Sequence, residues 1–482
     1  MGADSDFLER TQIYIMVLLD SSIKYSFKLR MYSNYCIANF GRQLAVSVLA
    51  LALGLVSNNV WAAGIEATIV KSKNSEWTVS YSASKPIKQV AFRRNPNDAR
   101  TMRWHPKNDD FSVVISNGEE FIVRKDQREF THVELLLTPT YTVLPKDYAP
   151  FSPYSDGGML IHTGRFFACE NLCNDDLNQW NLELRVPEGE HILLDGVLHQ
   201  SRAVWNDSNS GRNVYVGKQA PKESNGFLAL IDPGLPTKIK DSLETDIPKI
   251  AAYFESNLGS LGGDIAPVLF ASYSNSKGTS VQGGVLPQQI FIHWDKDNLA
   301  DLVDDQNFLF GTLWTFAHEM GHHFQHFNDF DIEPNESWIH EGHAEMLAYS
   351  ALTHLYPSAD DFRASKIEQF EQDCAHQLQT TALVDAANNG QFGSFYSCGF
   401  LIYQALSRYE RDGLENGVSP YTIWKLFRTK VGDKDQTATQ SFANVVAELT
   451  SQDVSSALNR FISNKHLDVG SAIEAIASAQ NN

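Results

Sequence analysis

The sequence predicts an α+β protein of several domains, with an antiparallel β domain first, a mixed α+β domain next and a helical domain last. Three observations predict it. Short runs rich in β-branched and aromatic residues fill residues 65–139, a mixture of strand and helix patterns follows from about residue 226, and helical periodicity dominates residues 357–482. A chain of 482 residues is long enough for two or three cores.

The composition indicates a folded chain, with 43% apolar and 20% charged residues. The formal net charge of −19 argues against general binding to nucleic acid or to anionic membranes, because both partners are polyanions. We therefore expect no nucleic-acid partner.

Residues 1–62 are predicted to be a signal-peptide region. Arg42 precedes an apolar run at 44–56, and a small-residue cleavage site follows at 60–62, which is the layout of a secretory signal. The run is short for a membrane span, so we expect an exported, periplasmic or extracellular protein with no stable membrane insertion after signal removal. An uncleaved anchor is the alternative. Because a signal peptide usually starts near its initiator, we also predict that Met31 is the natural start.

Residues 63–225 are predicted to form the β domain. The strand-like runs are EATIVKS, EWTVSYSA, KQVAFRR, FSVVIS, EEFIVRK and THVELLL, followed by NLELRVP and HILLDGV. Polar segments and segments with Pro, Asn or Gly separate the runs, as is typical of an antiparallel sandwich.

Residues 226–356 are predicted to form the α+β domain, with GFLALIDP and IAPVLFASY as buried strands. Helical spacing over 237–257 predicts a helix that Pro248 kinks or divides. Residues 283–294 are an extended run, expected at a sheet edge because it contains Pro287.

Residues 357–482 are predicted to form the helical domain, with helices at 359–387, 393–410, 420–430, 437–449, 452–463 and 469–479.

Four of the five cysteines lie after the signal-peptide region: Cys169, Cys173, Cys374 and Cys398. An even number in an exported protein favours two disulfides. Three connectivities are possible, and nearness in sequence favours Cys169–Cys173 and Cys374–Cys398.

A candidate metal site lies in residues 308–349, where His318, Glu319 and His322 form H-E-x-x-H on a helical pattern. The spacing places both imidazoles on one helix face, within reach of one ion. Zinc suits them, because it accepts nitrogen and oxygen ligands tetrahedrally and leaves a position for water. Glu319 is then suited to be the general base. A helix with surface histidines is the alternative.

A second helical segment contains W-x-x-E-G-x-A-E, from Trp338 to Glu345, and decides against surface histidines. Glu341 in this segment follows His322 after eighteen intervening residues.

This spacing and the E-G-x-A context resemble gluzincin zinc metallopeptidases of the aminopeptidase N or glycyl-aminopeptidase type. The resemblance is specific over about 280–400 and architectural over 65–230. It implies a thermolysin-like catalytic domain and one Zn²⁺ per chain, held by His318, His322 and Glu341.

The same resemblance implies that Glu319 acts as general base on a zinc-activated water to hydrolyse a peptide bond. It also implies that Glu345, one helical turn after Glu341, orients His318. His340 and His343 flank Glu341, and for them pocket lining and packing are both open.

Later in the chain, F-Y-S-C-G is similar to the Y-x-K-G pattern with which this family stabilises an oxyanion. The resemblance implies this role for Tyr396, with Gly399 in the pattern and Cys398 in place of the family's Lys. Tyr403, on the same predicted helix, is the alternative.

Aminopeptidases of this type hold the substrate's amino group with the Glu of a G-x-M-E-N run. The corresponding stretch here is Gly283-Gly284-Val285-Leu286-Pro287, which has no Glu. Gly283, Gly284 and Val285 are expected to hydrogen-bond a substrate backbone, as an edge strand does. Aminopeptidase and endopeptidase activity both stay open.

Together these patterns predict an exported zinc metallopeptidase acting on a peptide or protein. A zinc hydrolase with a non-peptide substrate and a non-catalytic zinc-containing binding protein are the alternatives.

Overall fold

The computed structural model describes residues 64–95, 99–144, 148–173, 179–224, 227–261, 267–274, 278–326, 332–409, 418–432 and 435–479. The predicted signal-peptide region and the predicted start at Met31 lie outside these ranges. The domain boundaries at 63–225, 226–356 and 357–482 stay predictions.

The β domain contains three sheets built from short strands. Within the described residues these strands are β1 (Ile65–Lys71), β2 (Trp77–Ile87), β3 (Gln89–Phe92), β4 (Trp104–Pro106), β5 (Phe111–Ser116), β6 (Glu119–Arg124), β7 (Phe130–Leu137), β8 (Phe151–Pro153), β9 (Met159–His162), β10 (Ala168–Cys169), β11 (Gln179–Arg185), β12 (His191–Leu194), β13 (Val197–His199), β14 (Arg202–Ser208) and β15 (Asn213–Gly217).

The sheets have the orders β14-β11-β1-β2-β7-β4, β10-β3-β6-β5 and β13-β12-β15-β9-β8. Neighbouring strands are antiparallel apart from β1 and β11, which pair in parallel. Burial alternates along β1, so that one face of this strand lies in the core and the other is partly exposed. The predicted antiparallel β domain is thus confirmed, with one parallel pair added.

A fourth sheet follows in the order β16-β17-β18-β20-β19. Its strands are β16 (Lys222–Ser224), β17 (Phe227–Ile231), β18 (Val268–Ser274), β19 (Thr279–Leu286) and β20 (Gln289–Lys296). Strands β17, β18 and β20 are parallel, and β19 pairs antiparallel with β20 at the edge. The prediction of one extended edge run at 283–294 is wrong, because Pro287 lies in the turn of a hairpin and β20 lies inside the sheet.

Helices cover one face of this sheet and dominate the described residues that follow it. The described helices are α1 (Ala99–Arg103), α2 (Thr237–Leu258), α3 (Leu299–Leu302), α4 (Gln306–Gln325), α5 (Trp338–Leu355), α6 (Asp360–Leu378), α7 (Gly393–Leu406), α8 (Pro420–Lys430), α9 (Ala438–Leu449), α10 (Gln452–Ser463) and α11 (Val469–Ala477).

The helical C-terminal domain is confirmed. Helix α2 continues through Pro248, so this proline does not divide it. Among the described helices, none has the length and apolarity needed to cross a membrane.

A shared core with the β domain and a disulfide between helices hold the fourth sheet and its helices in place. The other face of the fourth sheet packs against the β domain, where Tyr154 and Tyr215 share a core with Phe270 and Phe291. The disulfide Cys374–Cys398 joins α6 to α7, and Cys169–Cys173 closes a short loop in the β domain. Both pairs are those favoured by nearness in sequence.

Candidate metal centre

Helix α4 carries H-E-x-x-H because one of its faces is apolar and buried. Leu313, Phe316, Met320 and Phe324 lie in the core. Asp305 caps the helix, since its side chain accepts a hydrogen bond from a backbone N–H of the first turn. The helix is therefore anchored along its length, and its two histidines have fixed positions relative to the sheet.

His318, His322 and Glu341 meet between α4 and α5. The Nε2 atoms of the two histidines are 3.1 Å apart, and Glu341 Oε2 lies 3.2 Å from each of them. Three ligand-type atoms at tetrahedral positions about 2.0–2.1 Å from one zinc ion would be about 3.3 Å apart. The donor set and its near-equilateral triangle therefore fit zinc.

The three side chains of this triangle differ in their exposure to solvent. The side chains of His318 and His322 are 9% and 6% exposed, while Glu341 keeps 17%. Glu341 is thus the member of the triangle with the most exposure to solvent.

Electrostatics within the cluster are strongly coupled. Burial by itself lowers the pKa of His318, but the negative charges of Glu345, Glu341 and Glu319 outweigh burial and raise this pKa to about 9. Burial would raise the pKa of Glu341, yet His322 and His318 hold it well below its usual range. Glu341 is therefore a carboxylate at neutral pH, which is the form that binds a metal.

Glu319 lies beside this triangle. One of its carboxylate oxygens and a ligand nitrogen of each histidine lie within 4.8 Å of one another. Burial raises its pKa, which makes it a better proton acceptor than a solvated glutamate. The structure thus brings Glu319 next to the two histidines, as the sequence predicts.

Glu345 lies behind His318, with its Oε1 3.4 Å from His318 Nδ1. The indole N–H of Trp314 donates to the other carboxylate oxygen and holds the group in place. The predicted neighbours are therefore together, although the distance exceeds that of a normal N–H···O bond.

Tyr396 is placed over the cluster by a close crossing of α5 and α7. A Cβ added to Gly399 would lie 2.7 Å from the Cα of Gly342, so the two backbones touch where a larger residue would push them apart. The ring of Tyr396 consequently stacks on His318, with centroids 5.6 Å apart. Burial and the carboxylates of Glu341 and Glu319 raise the pKa of Tyr396, so its hydroxyl stays protonated and able to donate.

Tyr403, the alternative to Tyr396, and His343, a neighbour of Glu341, both belong to the core. Tyr403 is fully buried, and its hydroxyl donates to the carbonyl of Ile339. His343 is also fully buried, and burial lowers its pKa to about 3. His340 lies at the cluster, with Nε2 3.5 Å from Glu341 Oε1.

The predicted substrate strand borders the same site. Gly283 of β19 faces Glu319, because a Cβ added to Gly283 would lie 3.5 Å from Glu319 Oε1. A two-residue turn joins β19 to β20 with Leu286 opposite Gln289, so the backbone groups of Gly283 point away from β20. Next along the strand, Tyr148 of the β domain donates to the carbonyl of Val285.

Comparison with solved structures identifies the architecture. The chain is similar to an aminopeptidase N family protein from Idiomarina loihiensis, with a TM-score of 0.60 and 12% identity over 85% of this chain and 78% of that one. The chain has the aminopeptidase N fold. The resemblance found in the sequence is thus confirmed for the fold.

Two other solved structures have lower TM-scores against this chain. An M1 zinc metallopeptidase variant from Deinococcus radiodurans, bound to a Tyr-Ser-Ala substrate, has a TM-score of 0.46 and 13% identity over 84% of this chain and 93% of that one. Native LTA4 hydrolase from yeast has a TM-score of 0.42 and 11% identity over 86% and 64%. No protein family model matches the sequence, and no curated protein matches it.

One residue of this centre was not predicted from the sequence. Gln325, in the last turn of α4, is fully buried and contacts His322 through its side chain. Its spacing of three residues after His322 places both on one helix face, which is a signal the sequence contains.

Proposed function

We propose that this protein is a zinc-dependent metallopeptidase. The observation that carries the proposal is the triangle of His318, His322 and Glu341, with sides of 3.1 and 3.2 Å, beside the carboxylate of Glu319 and the outer side of strand β19. A structural metal site would need neither a base nor a neighbouring strand edge.

Each residue of the centre has a role in the proposed reaction. When bound, zinc supplies a Lewis acid that polarises a carbonyl group and lowers the pKa of water at its open position. His318, His322 and Glu341 hold the ion, and Glu345 orients His318. Glu319 accepts the proton of the attacking water.

The hydroxyl group of Tyr396 donates a hydrogen bond to the carbonyl oxygen, on which negative charge develops during the reaction. The raised pKa of Tyr396 supports this role, because only the protonated hydroxyl can donate. Its ring is partly buried, and the face that stacks on His318 is shielded from water by this contact.

A peptide backbone is the substrate that suits strand β19. The outward N–H and C=O of Gly283, which bond no other group among the described residues, can pair with an added strand, as in β-augmentation. Gly284 and Val285 continue this strand, but the carbonyl of Val285 already accepts a hydrogen bond from Tyr148. Substrate pairing is therefore proposed to centre on Gly283 and to be limited on the Val285 side.

The proposal is tested by measuring hydrolysis of peptides with free and with blocked amino termini by the zinc-loaded protein. We expect cleavage that a chelator abolishes and added zinc restores. A protein that binds one zinc ion per chain but cleaves no peptide would contradict the proposal. Such a result would favour a zinc hydrolase of another substrate class or a zinc-containing binding protein. The preference between the two peptide series decides between aminopeptidase and endopeptidase activity.

Replacing Tyr396 with Phe is expected to lower turnover by about 10²-fold or more, the effect of removing one oxyanion donor. Zinc content should not change, because Tyr396 is not among the proposed ligands. Steady-state kinetics and metal analysis of the purified variant measure both quantities. Tyr403→Phe is the matched control on the same helix, and it is expected to keep its turnover. Near-normal turnover of Tyr396→Phe would exclude the role.

Export is proposed as well. It rests on the signal-peptide pattern at 31–63 and agrees with the two disulfides of the structure. Sequencing the amino terminus of the native mature protein tests the cleavage site, and sequencing that of the precursor tests the predicted start at Met31.

A further inference from the structure

Gln325 connects the proposed metal centre to the helical domain. Its side chain is fully buried and makes hydrogen bonds in three directions. Gln325 Oε1 lies 2.8 Å from His322 Nδ1, and Gln325 Nε2 lies 2.8 Å from the carbonyl oxygen of His340 and 2.9 Å from His343 Nδ1. An amide that is held at both of its ends cannot rotate without losing hydrogen bonds inside the core.

The hydrogen bonds of His343, the residue that links Gln325 to α8, determine which atoms donate. His343 Nε2 lies 3.2 Å from the carbonyl oxygen of Pro420, at the start of α8. A carbonyl oxygen only accepts, so the hydrogen of the neutral His343 ring is on Nε2 and its Nδ1 carries a lone pair. Trp424 stacks on this ring with centroids 4.4 Å apart, and its indole N–H donates to the backbone carbonyl of Gln325.

The orientation of the Gln325 amide follows from these two acceptors. His343 Nδ1 and the His340 carbonyl oxygen both act as acceptors, so the end of the Gln325 amide that faces them is its NH₂ group. The amide oxygen must then face His322, whose Nδ1 has to carry a hydrogen in order to donate. The remaining lone pair of the His322 ring is on Nε2, which is the atom at the triangle with His318 and Glu341.

We propose that Gln325 is a positioning residue that, together with His343, fixes the metal-binding tautomer of His322. The inference rests on the proposed function, because it assigns a partner to one of the proposed zinc ligands. It also assigns a role to the helical domain. Pro420 and Trp424 of α8 hold the pair that presents His322 to the ion.

An amide suits this position better than a second carboxylate would. His318 is already backed by Glu345, and Glu319 and Glu341 add two more carboxyl groups to the same region. A further anion behind His322 would raise the electrostatic repulsion in a buried site. The Gln325 amide fixes the ring without adding charge.

The test is the zinc dissociation constant of metal-free protein, measured by competition with a chelating indicator, for Gln325→Met. Methionine has nearly the length and volume of glutamine but no amide oxygen, so the core stays filled. We expect zinc binding to weaken by about 10- to 100-fold, the usual effect of losing an outer partner of a metal ligand. In ¹⁵N spectra of histidine-labelled metal-free protein, the His322 ring should change from a single Nδ1–H tautomer to a mixture.

Gln289→Met is the matched control. Gln289 is also buried, but among the described residues its side chain bonds only the backbone of Asn213, on β15. This substitution is expected to lower the melting temperature and to leave the zinc dissociation constant and the His322 tautomer unchanged. A purely structural role of Gln325 would produce this same outcome in Gln325→Met and would overturn the proposal.

A second variant keeps the test decisive if Gln325→Met does not fold. His343→Phe keeps a flat ring against Trp424 but removes the acceptor for Gln325, so zinc binding should weaken by about 3- to 10-fold, less than for the loss of Gln325 itself. Unchanged zinc binding in this variant would also contradict the proposal.

The zinc affinity is measured without substrate, so these results do not depend on peptidase activity. Absence of peptidase activity would overturn only the proposed function.

Discussion

Glu319→Gln is expected to abolish peptide hydrolysis, with a loss of about 10²- to 10⁴-fold in turnover, while the protein keeps its zinc. Glutamine has the size of glutamate but cannot accept the proton of the attacking water. Zinc should stay bound because the triangle of 3.1 and 3.2 Å contains Glu341 and not Glu319. Turnover with a cleavable peptide and zinc content of the purified variant measure the two effects.

Glu336→Gln provides the matched control for this substitution. Glu336 is also largely buried, and its carboxylate accepts a hydrogen bond from the backbone N–H of Thr439, on α9. A glutamine can still accept this bond, so turnover should be unchanged. If Glu319→Gln kept full turnover, the general-base assignment would be wrong. If it also lost its zinc, Glu319 would be a ligand in place of the assigned base.

The order of domains could be predicted because it depends on local patterns. Runs such as THVELLL and the helical spacing after residue 357 reflect burial on one face, which periodicity reports directly. The parallel pairing of β1 with β11 could not be predicted, since Glu66 and its partner Asn181 are far apart in sequence. Strand β15 was missed because it is buried on both faces and therefore shows no alternation.

The hairpin β19–β20 shows how a turn residue can be misinterpreted. Pro287 was assigned to an edge strand, which tolerates proline because one side of it lacks a partner. It instead precedes Gln288, whose positive φ of 59° belongs to the tight turn between the strands. The edge position still holds for Gly283, on the strand before the turn.

Some residues of the candidate site could also be predicted from the sequence, and others could not. H-E-x-x-H, Glu341 and Tyr396 were found because each lies in a short motif with a fixed spacing. Gln325 was not found, since its importance depends on Pro420 and Trp424, which approach it only after α8 packs against α5. Local motifs thus revealed the candidate ligands, whereas the groups that hold a ligand in place depend on the tertiary fold.

Close packing explains why the motif residues can act together. Tyr396 lies on α7 and Glu341 on α5, and the contact of Gly342 with Gly399 sets the separation of these helices. The disulfide at Cys398, next to Gly399, ties α7 to α6 as well. The cysteine that replaces the lysine of the family pattern therefore contributes to the placement of Tyr396 through a covalent link.

Glu341→Gln is expected to remove zinc first and hydrolysis as a consequence. The carboxylate is the negatively charged member of the proposed ligand set, and His322 and His318 keep its pKa low enough for it to stay ionised. A neutral amide loses this charge, so zinc affinity should fall by more than the roughly 100-fold expected for an outer partner. Equilibrium competition with a chelating indicator and turnover at increasing zinc concentrations measure the two effects.

Comparison of Glu341→Gln with Glu319→Gln separates binding of the metal from the chemistry. Excess zinc should restore part of the turnover of Glu341→Gln, because the remaining histidines still bind the ion weakly, but it should restore none in Glu319→Gln. Normal zinc affinity in Glu341→Gln would exclude Glu341 as a ligand and leave His318, His322 and Glu319 as the candidate set. The same glutamate-to-glutamine change, made at two positions on either side of one ion, therefore decides which carboxylate holds zinc and which one takes the proton.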